Sequence, residues 1–132
     1  MQKAPRKAYI VDNGFVQAKA FSMSENLGLL LENQVFVELL RRGYDTEKTL
    51  FYYRSRNDKE VDFVLREENH VKALVQVCYD MNNDKTEKRE VGSLVECAGE
   101  LHCGNLFIVT MNNKRTILKD GLTVKVIPIT EF

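Results

Sequence analysis

The chain has 132 residues, of which 44% are hydrophobic and 29% are charged, a composition typical of one globular domain. Its 19 Lys and Arg residues balance its 19 Asp and Glu residues, so no overall positive field draws it to nucleic acid, although local patches stay open. No apolar run approaches ~20 residues, so we expect no membrane partner. The three cysteines are odd in number and irregularly spaced, which predicts a cytoplasmic location rather than a disulfide framework.

Hydrophobic periodicity and turn residues predict the elements of the chain. The first helix starts at a capping box formed by Ser22 and Glu25, or with Ser24 itself as the cap, and Gly43 is its expected stop. In chain order we predict a strand over residues 8–11, a helix over 25–42, strands over 50–56, 60–66 and 71–79, a helix over 85–98, and strands over 106–110 and 123–129. That order predicts an α/β domain with a mixed central sheet flanked by helices.

The strand at residues 8–11 begins close to the first residue, which predicts that these 132 residues are part of a longer protein.

Two polar residues interrupt the predicted central strands. Strand 60–66 alternates, with Val61, Phe63 and Leu65 expected on one face and Asp62 on the other, and Gln76 lies inside an apolar run. Burying a carboxylate or an amide without a partner costs a few kcal/mol. Oxygen donors on neighbouring strands are natural ligands for a hard divalent cation, so the pair predicts a metal site. An ion pair or a turn cap is the alternative for Asp62, and an edge position that bonds water is the alternative for Gln76.

The sequence also contains three blocks in order: LENQVFVELLRRGY, then YYRS followed by KEVDFVL, then ALVQVCYD. Together with the opening KAYIVDNG, they resemble the uncharacterised C-terminal domain of a family of prokaryotic AAA+ ATPases. The placement of acids on a helix and two strands resembles the restriction-endonuclease-like core of PD-(D/E)XK nucleases. The resemblance implies a single nuclease-like domain over residues 1–132, preceded in a longer chain by an ATPase module.

The resemblance implies site residues position by position. Glu32 matches the first-helix acid of the nuclease core, Asp62 matches its metal-binding aspartate, and Gln76 matches the acidic position of its (D/E)XK element. These three residues are therefore the expected ligands of Mg²⁺ or Mn²⁺. We expect weak binding because only two full charges would face the ion. On this interpretation Asp62→Ala leaves stability unchanged or raised.

Cys78 stands where the nuclease core has its lysine. A lysine ammonium stabilises the charge that develops on the phosphate, whereas a thiol with a pKa of about 8.5 is mostly neutral at pH 7. Lys88 or Arg89, on the second helix, is the best replacement cation. A two-residue loop at Asn57-Asp58 would turn Arg54 away from Asp62, and a loop longer by one residue would reverse that.

These observations favour a degenerate nuclease-like domain that binds nucleic acid or a protein partner without catalysis. The expected partners are the ATPase module of the same chain and DNA or RNA. An active Mg²⁺- or Mn²⁺-dependent nuclease with a displaced cation, in which Glu32, Asp62, Gln76 and Lys88 act, is the first alternative. A homo-oligomerisation module is the second.

Overall fold

The computed structural model describes residues 2–3 and 23–132 of the chain, so the strand predicted over residues 8–11 lies outside the described residues. Its helices are α1 (Met23–Arg41) and α2 (Asp84–Leu101). Its strands are β1 (Gln2–Lys3), β2 (Leu50–Arg54), β3 (Glu60–Glu67), β4 (His70–Val77), β5 (Leu106–Thr110), β6 (Arg115–Lys119) and β7 (Leu122–Pro128). A short 3₁₀ helix, Ile129–Glu131, follows β7.

The strands form one mixed sheet in the order β1-β2-β3-β4-β5-β7-β6. The pairs along β1 to β4 are antiparallel, and turns connect β2 to β3 and β3 to β4, whereas α1 lies between β1 and β2 in the chain. β5 runs parallel to both β4 and β7, and α2 is the crossover that connects β4 to β5. The predicted α/β class with a mixed sheet flanked by helices is confirmed.

Each face of the sheet buries one helix. Val35, Phe36 and Leu39 of α1 pack against one set of strand residues, which includes Val75 and Val109. The other face packs against α2, whose contribution is Val91, Leu94, Cys97 and Ala98. Consecutive residues of a strand point to opposite faces of the sheet. Because both faces are covered by a helix, β4 and β5 have apolar residues on both faces, and their sequences are nearly continuous hydrophobic runs.

Helix α2 begins where the sequence places a strong cap. The Asn83 side-chain oxygen accepts hydrogen bonds from the backbone N–H groups of Lys85 and Thr86, at 2.9 and 3.1 Å. The helix ends at His102, which has a left-handed backbone with φ of 54°. It therefore runs past the predicted end at residue 98, because Gly99 does not stop it and Leu101 still packs on the core.

Strand β6 was missed by the sequence prediction. Among the described strands it pairs only with β7, at the edge of the sheet, and Leu118 on it is 76% exposed, so it lacks the buried alternation that marks a strand. The available signal was Asp120-Gly121, a turn in which both residues have positive φ, at 51° and 79°. An Asp-Gly pair between two apolar stretches is a strong hairpin signal.

The β2–β3 hairpin has the longer of the two loops considered from the sequence, with three residues. The backbone N–H of Ser55 bonds the carbonyl oxygen of Lys59 at 2.8 Å, and Asp58 has a left-handed φ of 65°. A turn closed by one left-handed residue is the common three-residue loop. The longer loop places Arg54 opposite Glu60, so Arg54 shares the face of Glu60.

Candidate functional site

Strands β3 and β4 separate at one end and leave a fork in the sheet. Their main-chain pairing runs from the hairpin turn as far as Phe63 and Val75. Beyond that point β4 continues beside β5, where Gln76 pairs with Ile108, while β3 stays beside β2. The divergence removes the ladder partners of the backbone groups on the facing sides of both strands.

Asp62 and Gln76 fill the fork with side-chain hydrogen bonds. The Gln76 amide oxygen accepts the backbone N–H of Asp62 at 2.9 Å, and its amide nitrogen donates to the carbonyl oxygen of Glu60 at 3.0 Å. The Asp62 carboxylate accepts the backbone N–H of Val77 at 2.8 Å. Gln76 is only 4% exposed, so little water is available to replace these bonds. The two polar residues therefore continue the sheet where its backbone ladder stops.

A β-bulge accompanies the fork. Phe51 pairs with Val64 and Tyr53 pairs with Val61, so Asp62 and Phe63 lie opposite a single residue of β2. A bulge bends its strand and interrupts the alternation of side chains. The predicted common face of Val61, Phe63 and Leu65 is therefore wrong at Val61. Val61 packs with the α2-side core, and the other two pack with the α1-side core.

The fork opens into a cleft of about 320 Å³ between the two helices. Glu32, Asp62 and Gln76 all line it, so the structure brings the three predicted ligand positions together. Among described residues the lining includes Arg89 but neither Cys78 nor Lys88. The remaining lining residues are Asp58, Lys59, Glu60, Val77, Glu90 and Ser93.

Glu90 is the site residue that the sequence prediction missed. Its side chain is 16% exposed on α2 and reaches Gln76 and Asp62. Burial, and after it the negative charge of Asp62, raises the pKa of Glu90, while Arg89 at 3.4 Å opposes the rise. The available signal was position, because Glu90 lies three residues before buried Ser93 and four before buried Leu94, on the sheet-facing side of the helix.

Cys78 cannot provide a positive charge at the site. Its side chain is partly buried against the α2-side core, and its thiol lies 3.4 Å from the carbonyl oxygen of Asp80. Burial, with a smaller effect from the charge of Glu90, raises the pKa of this thiol to about 11. The thiol is therefore neutral at pH 7 and cannot replace the positive charge of the lysine that the nuclease core has at this position.

The oxygen atoms of the cleft fit a divalent ion poorly. Both polar atoms of the Gln76 amide already bond backbone groups, as does one oxygen of Asp62. Within residues 2–3 and 23–132, no three His, Cys, Asp or Glu side chains are grouped as a metal site requires. The ligand role of Glu32, Asp62 and Gln76 stays a prediction.

The β2–β3 hairpin, which contributes Asp58, Lys59 and Glu60 to the cleft lining, is hydrogen-bonded to α2. Ser55 donates its hydroxyl hydrogen bond to Glu96, and Asn57 donates to the same carboxylate at 3.2 Å. The Tyr53 hydroxyl donates to Glu100, and this hydrogen bond raises the pKa of Tyr53 to about 12. These contacts hold the β2–β3 turn, and with it Lys59, beside the helix that supplies Glu90.

A mixed α/β domain with a polar cleft at a fork in its sheet is the class that this geometry defines. The chain belongs to the family described as "Domain of unknown function (DUF4143)", whose sequence profile matches residues 27–132.

Two uncharacterized proteins are similar to the chain over part of their length. One, from Methanocaldococcus jannaschii, is 39% identical over 110 residues, which cover 82% of this chain and 24% of that protein. The other, from Haemophilus influenzae, is 34% identical over 85 residues, which cover 64% of this chain and 20% of that protein. The chain thus spans about a quarter or less of these relatives.

One solved structure is similar in shape. It is a refined half-complex from a tetradecameric assembly of Thermococcus gammatolerans McrB AAA+ hexamers with bound McrC. The match has a TM-score of 0.48 and 11% identity, and it covers 82% of this chain and 28% of that chain.

Among the residues described here, neither helix is long and apolar enough to cross a membrane.

The fork predicts a large stability effect of Gln76→Leu. This change removes the hydrogen bonds that the Gln76 side chain, only 4% exposed, makes with the Asp62 N–H and the Glu60 carbonyl, at a cost of about 1–3 kcal/mol each. We expect the free energy of unfolding, measured by urea denaturation, to fall by about 2–4 kcal/mol. Gln34→Leu is the matched control, because Gln34 is exposed on α1 and the change there is expected to stay within ~0.5 kcal/mol. Equal effects of the two substitutions would contradict the role of Gln76 in the fork.

The same geometry reverses the expectation for Asp62→Ala. The sequence alone favoured unchanged or raised stability, but the carboxylate is the partner of the Val77 N–H. Its removal is therefore expected to lower the free energy of unfolding by about 1–3 kcal/mol. Unchanged stability in the same urea experiment would show that this bond contributes little.

The raised pKa of Glu90 predicts that the stability of the domain depends on pH. The pKa of Glu90 is raised in the folded state, so the folded protein binds this proton more tightly than the unfolded chain does. Stability therefore falls as the pH rises from the unfolded pKa of about 4.3 through the folded pKa, and the loss is complete above it. We expect Glu90→Gln to be more stable than the wild type at pH 7 and equal to it below both pKa values.

Thermal denaturation across this pH range measures the difference. Glu68→Gln is the control, because Glu68 is exposed in the β3–β4 turn. A Glu90→Gln variant that is less stable than the wild type at pH 7 would show that the carboxylate is held by a favourable charge partner.

Proposed function

We propose that this domain is a non-catalytic binding module with a nuclease-like core, which belongs to a longer ATPase-containing protein and contacts a protein partner through the cleft at the fork. The ATPase context is supported by the resemblance of three ordered sequence blocks. A larger parent protein is supported by the relatives, of which the chain spans about a quarter or less.

The use of Asp62 and Gln76 within the sheet is the observation that carries the proposal. In an active metal-dependent nuclease, side-chain oxygens at these positions must be available to an ion. Here they accept the backbone N–H groups of Val77 and Asp62 at 2.8 and 2.9 Å. The neutral thiol of Cys78 adds to this, because it gives the cleft no cation with which to stabilise a developing phosphate charge.

The charge of the cleft favours a cationic group of a protein over a phosphate. Its lining includes carboxylates from α1, β3, the hairpin loop and α2, against the two cations Lys59 and Arg89. Arg54, which is not part of the lining, pairs with Glu60 at 2.8 Å and with Asp58 at 3.2 Å, so it compensates part of this negative charge but leaves carboxylates in excess. Phosphate groups of a nucleic acid would meet net negative charge here, and affinity for nucleic acid depends on neutralising those phosphates.

A working nuclease is the second candidate, and Glu90 is the observation that favours it. Glu90 adds a carboxylate beside Asp62, and Arg89 places a guanidinium at the edge of the same cleft. Together they supply an acid and a cation that the predicted ligand positions lack. Activity measurements on matched variants separate the two candidates.

We expect the wild-type domain to show no cleavage of DNA or RNA above background with Mg²⁺ or Mn²⁺. Loss of one transition-state contact of the kind a lysine makes costs about 10²–10³ in rate. If only the missing charges prevent catalysis, Cys78→Lys together with Gln76→Glu restores cleavage that Asp62→Asn abolishes. Circular dichroism of each variant checks that the fold is intact.

Robust wild-type cleavage that is lost in both Glu90→Gln and Arg89→Ala would overturn the non-catalytic proposal. It would assign the chemistry to the pair on α2. Arg56→Ala is the control for a general loss of positive charge, because Arg56 lies exposed in the hairpin loop outside the cleft lining.

The identity of the partner has its own test. We expect Lys59→Ala and Arg89→Ala to leave the affinity for fluorescently labelled DNA and RNA, and its dependence on salt, unchanged. A cation that contacts a phosphate reduces the slope of log affinity against log salt by about 1 when it is removed. Fluorescence anisotropy at several salt concentrations measures this slope. A decrease for either variant would make nucleic acid the occupant of this cleft.

A further inference from the structure

Strand β6 lies at an edge of the sheet, so the backbone groups on its outer side have no neighbouring strand among the described residues. The turn at Asp120-Gly121 joins β6 to β7, so the flanking residues Lys119 and Leu122 exchange both backbone hydrogen bonds. Bonded and non-bonded pairs alternate along an antiparallel ladder. The N–H and C=O groups of Thr116 and Leu118 therefore point away from β7 and are open to another strand.

The side chains of this edge offer apolar surface on both faces of the sheet. Ile117 packs against the α2-side core but is only partly buried. Leu118, the next residue, lies on the opposite face and is 76% exposed. A strand that extends the sheet beyond β6 would cover Leu118 on one face and the remaining surface of Ile117 on the other.

Two cations at this edge have no ion pair among the described residues. They are Lys119 on β6 and Lys125 on β7, and both are exposed. The ammonium of Lys125 lies 5.2 Å from the centroid of the Phe107 ring, which holds it on the face of the sheet opposite to α2. Arg115, by contrast, is neutralised by Glu87 of α2 at 2.5 Å.

These charges decide between a second copy of the chain and an acidic partner. Asp120 is the one acid of the β6–β7 hairpin, so it balances at most one of the two unpaired lysines. A second copy would bring another Lys119 and another Lys125 to the same edge, and lysines on edge strands are a common means of preventing such pairing. Carboxylates on an added strand would instead balance the lysines, because opposite charges on neighbouring strands attract.

We propose that β6 binds, by strand addition, an extended segment of a protein partner in which two acidic residues flank two apolar ones. The acids would lie opposite Lys119 and opposite Thr116, which is the neighbour of Lys125 on β7. The apolar residues would lie opposite Leu118 and Ile117. Main-chain hydrogen bonds provide the affinity in this mode of binding, and the side chains provide the specificity. Strands β5 and β7 lie between β6 and β4, so this surface is separate from the cleft at the fork and does not depend on the function proposed there.

The experiment is an NMR titration of the 132-residue chain with the peptide Thr-Glu-Val-Val-Glu-Thr, which presents the same pattern in either strand direction. We expect saturable shifts of the Thr116 and Leu118 amide signals, and about tenfold weaker binding of Thr-Lys-Val-Val-Lys-Thr. Absence of saturation up to ~1 mM, or equal affinity for the two peptides, would overturn the proposal. So would shifts of the same signals with protein concentration in the absence of peptide, because they would make a second copy the occupant.

Two substitutions test the backbone and the charge separately. Leu118→Pro removes an N–H that points away from β7, so the β6–β7 ladder is kept while peptide binding is expected to weaken about tenfold or more. Lys119→Glu is expected to reduce the preference for the glutamate peptide by about tenfold. Lys48→Glu is the matched control, because Lys48 is exposed next to β2, on the other side of the sheet, and we expect no change there.

An unchanged preference in Lys119→Glu would overturn the proposed role of the charge, and unchanged affinity in a folded Leu118→Pro would overturn strand addition. If Leu118→Pro does not fold, Lys119→Glu and the wild-type titration decide.

Discussion

The hydrogen bonds that Asp62 and Gln76 make across the fork are the constraint on which the site depends. Two strands that diverge inside a protein leave backbone groups without partners, and each orphaned group costs about 1–3 kcal/mol when water cannot reach it. Here three such groups, on Glu60, Asp62 and Val77, receive side-chain partners at 2.8 to 3.0 Å. The divergence in turn makes room for the cleft and brings Glu90 of α2 next to both side chains.

This arrangement sets a physical limit on what the two residues can do for a ligand. An amide oxygen has two lone pairs, so Gln76 can in principle serve the sheet and a second group. Its orientation, however, is fixed by two backbone partners, and its 4% exposure leaves little freedom to turn. One carboxylate oxygen of Asp62 accepts the Val77 N–H, and the negative charge of this carboxylate raises the pKa of Glu90. A ligand at this site must therefore bind Asp62 and Gln76 in the orientations that their hydrogen bonds to the sheet impose.

The sequence predicted the helices and the buried strands because their hydrophobic periods are strong. The sequence prediction failed where tertiary structure overrides the hydrophobic period. The bulge at Asp62 moved Val61 to the other face, and the edge position of β6 removed the buried side that marks a strand. The cost of burying a polar group identified Asp62 and Gln76 correctly as residues that need compensation. That cost alone could not distinguish a bound ion from a backbone partner, because the distinction depends on where β3 and β4 stop pairing.

Glu90 was missed for a related reason, and its position changes how Cys78 should be understood. A charged residue on a helix is usually solvated, so residue type outweighed the helical spacing that places Glu90 on the same side as Leu94. Burial and the charge of Glu90 together keep the Cys78 thiol protonated. The same burial would lower the pKa of a lysine at position 78, whereas the negative charge of Glu90 would raise it. The ionised form of Glu90 would therefore stabilise a cation at position 78. The two positions are electrostatically coupled, although they lie on different elements and only position 78 belongs to the sequence motif.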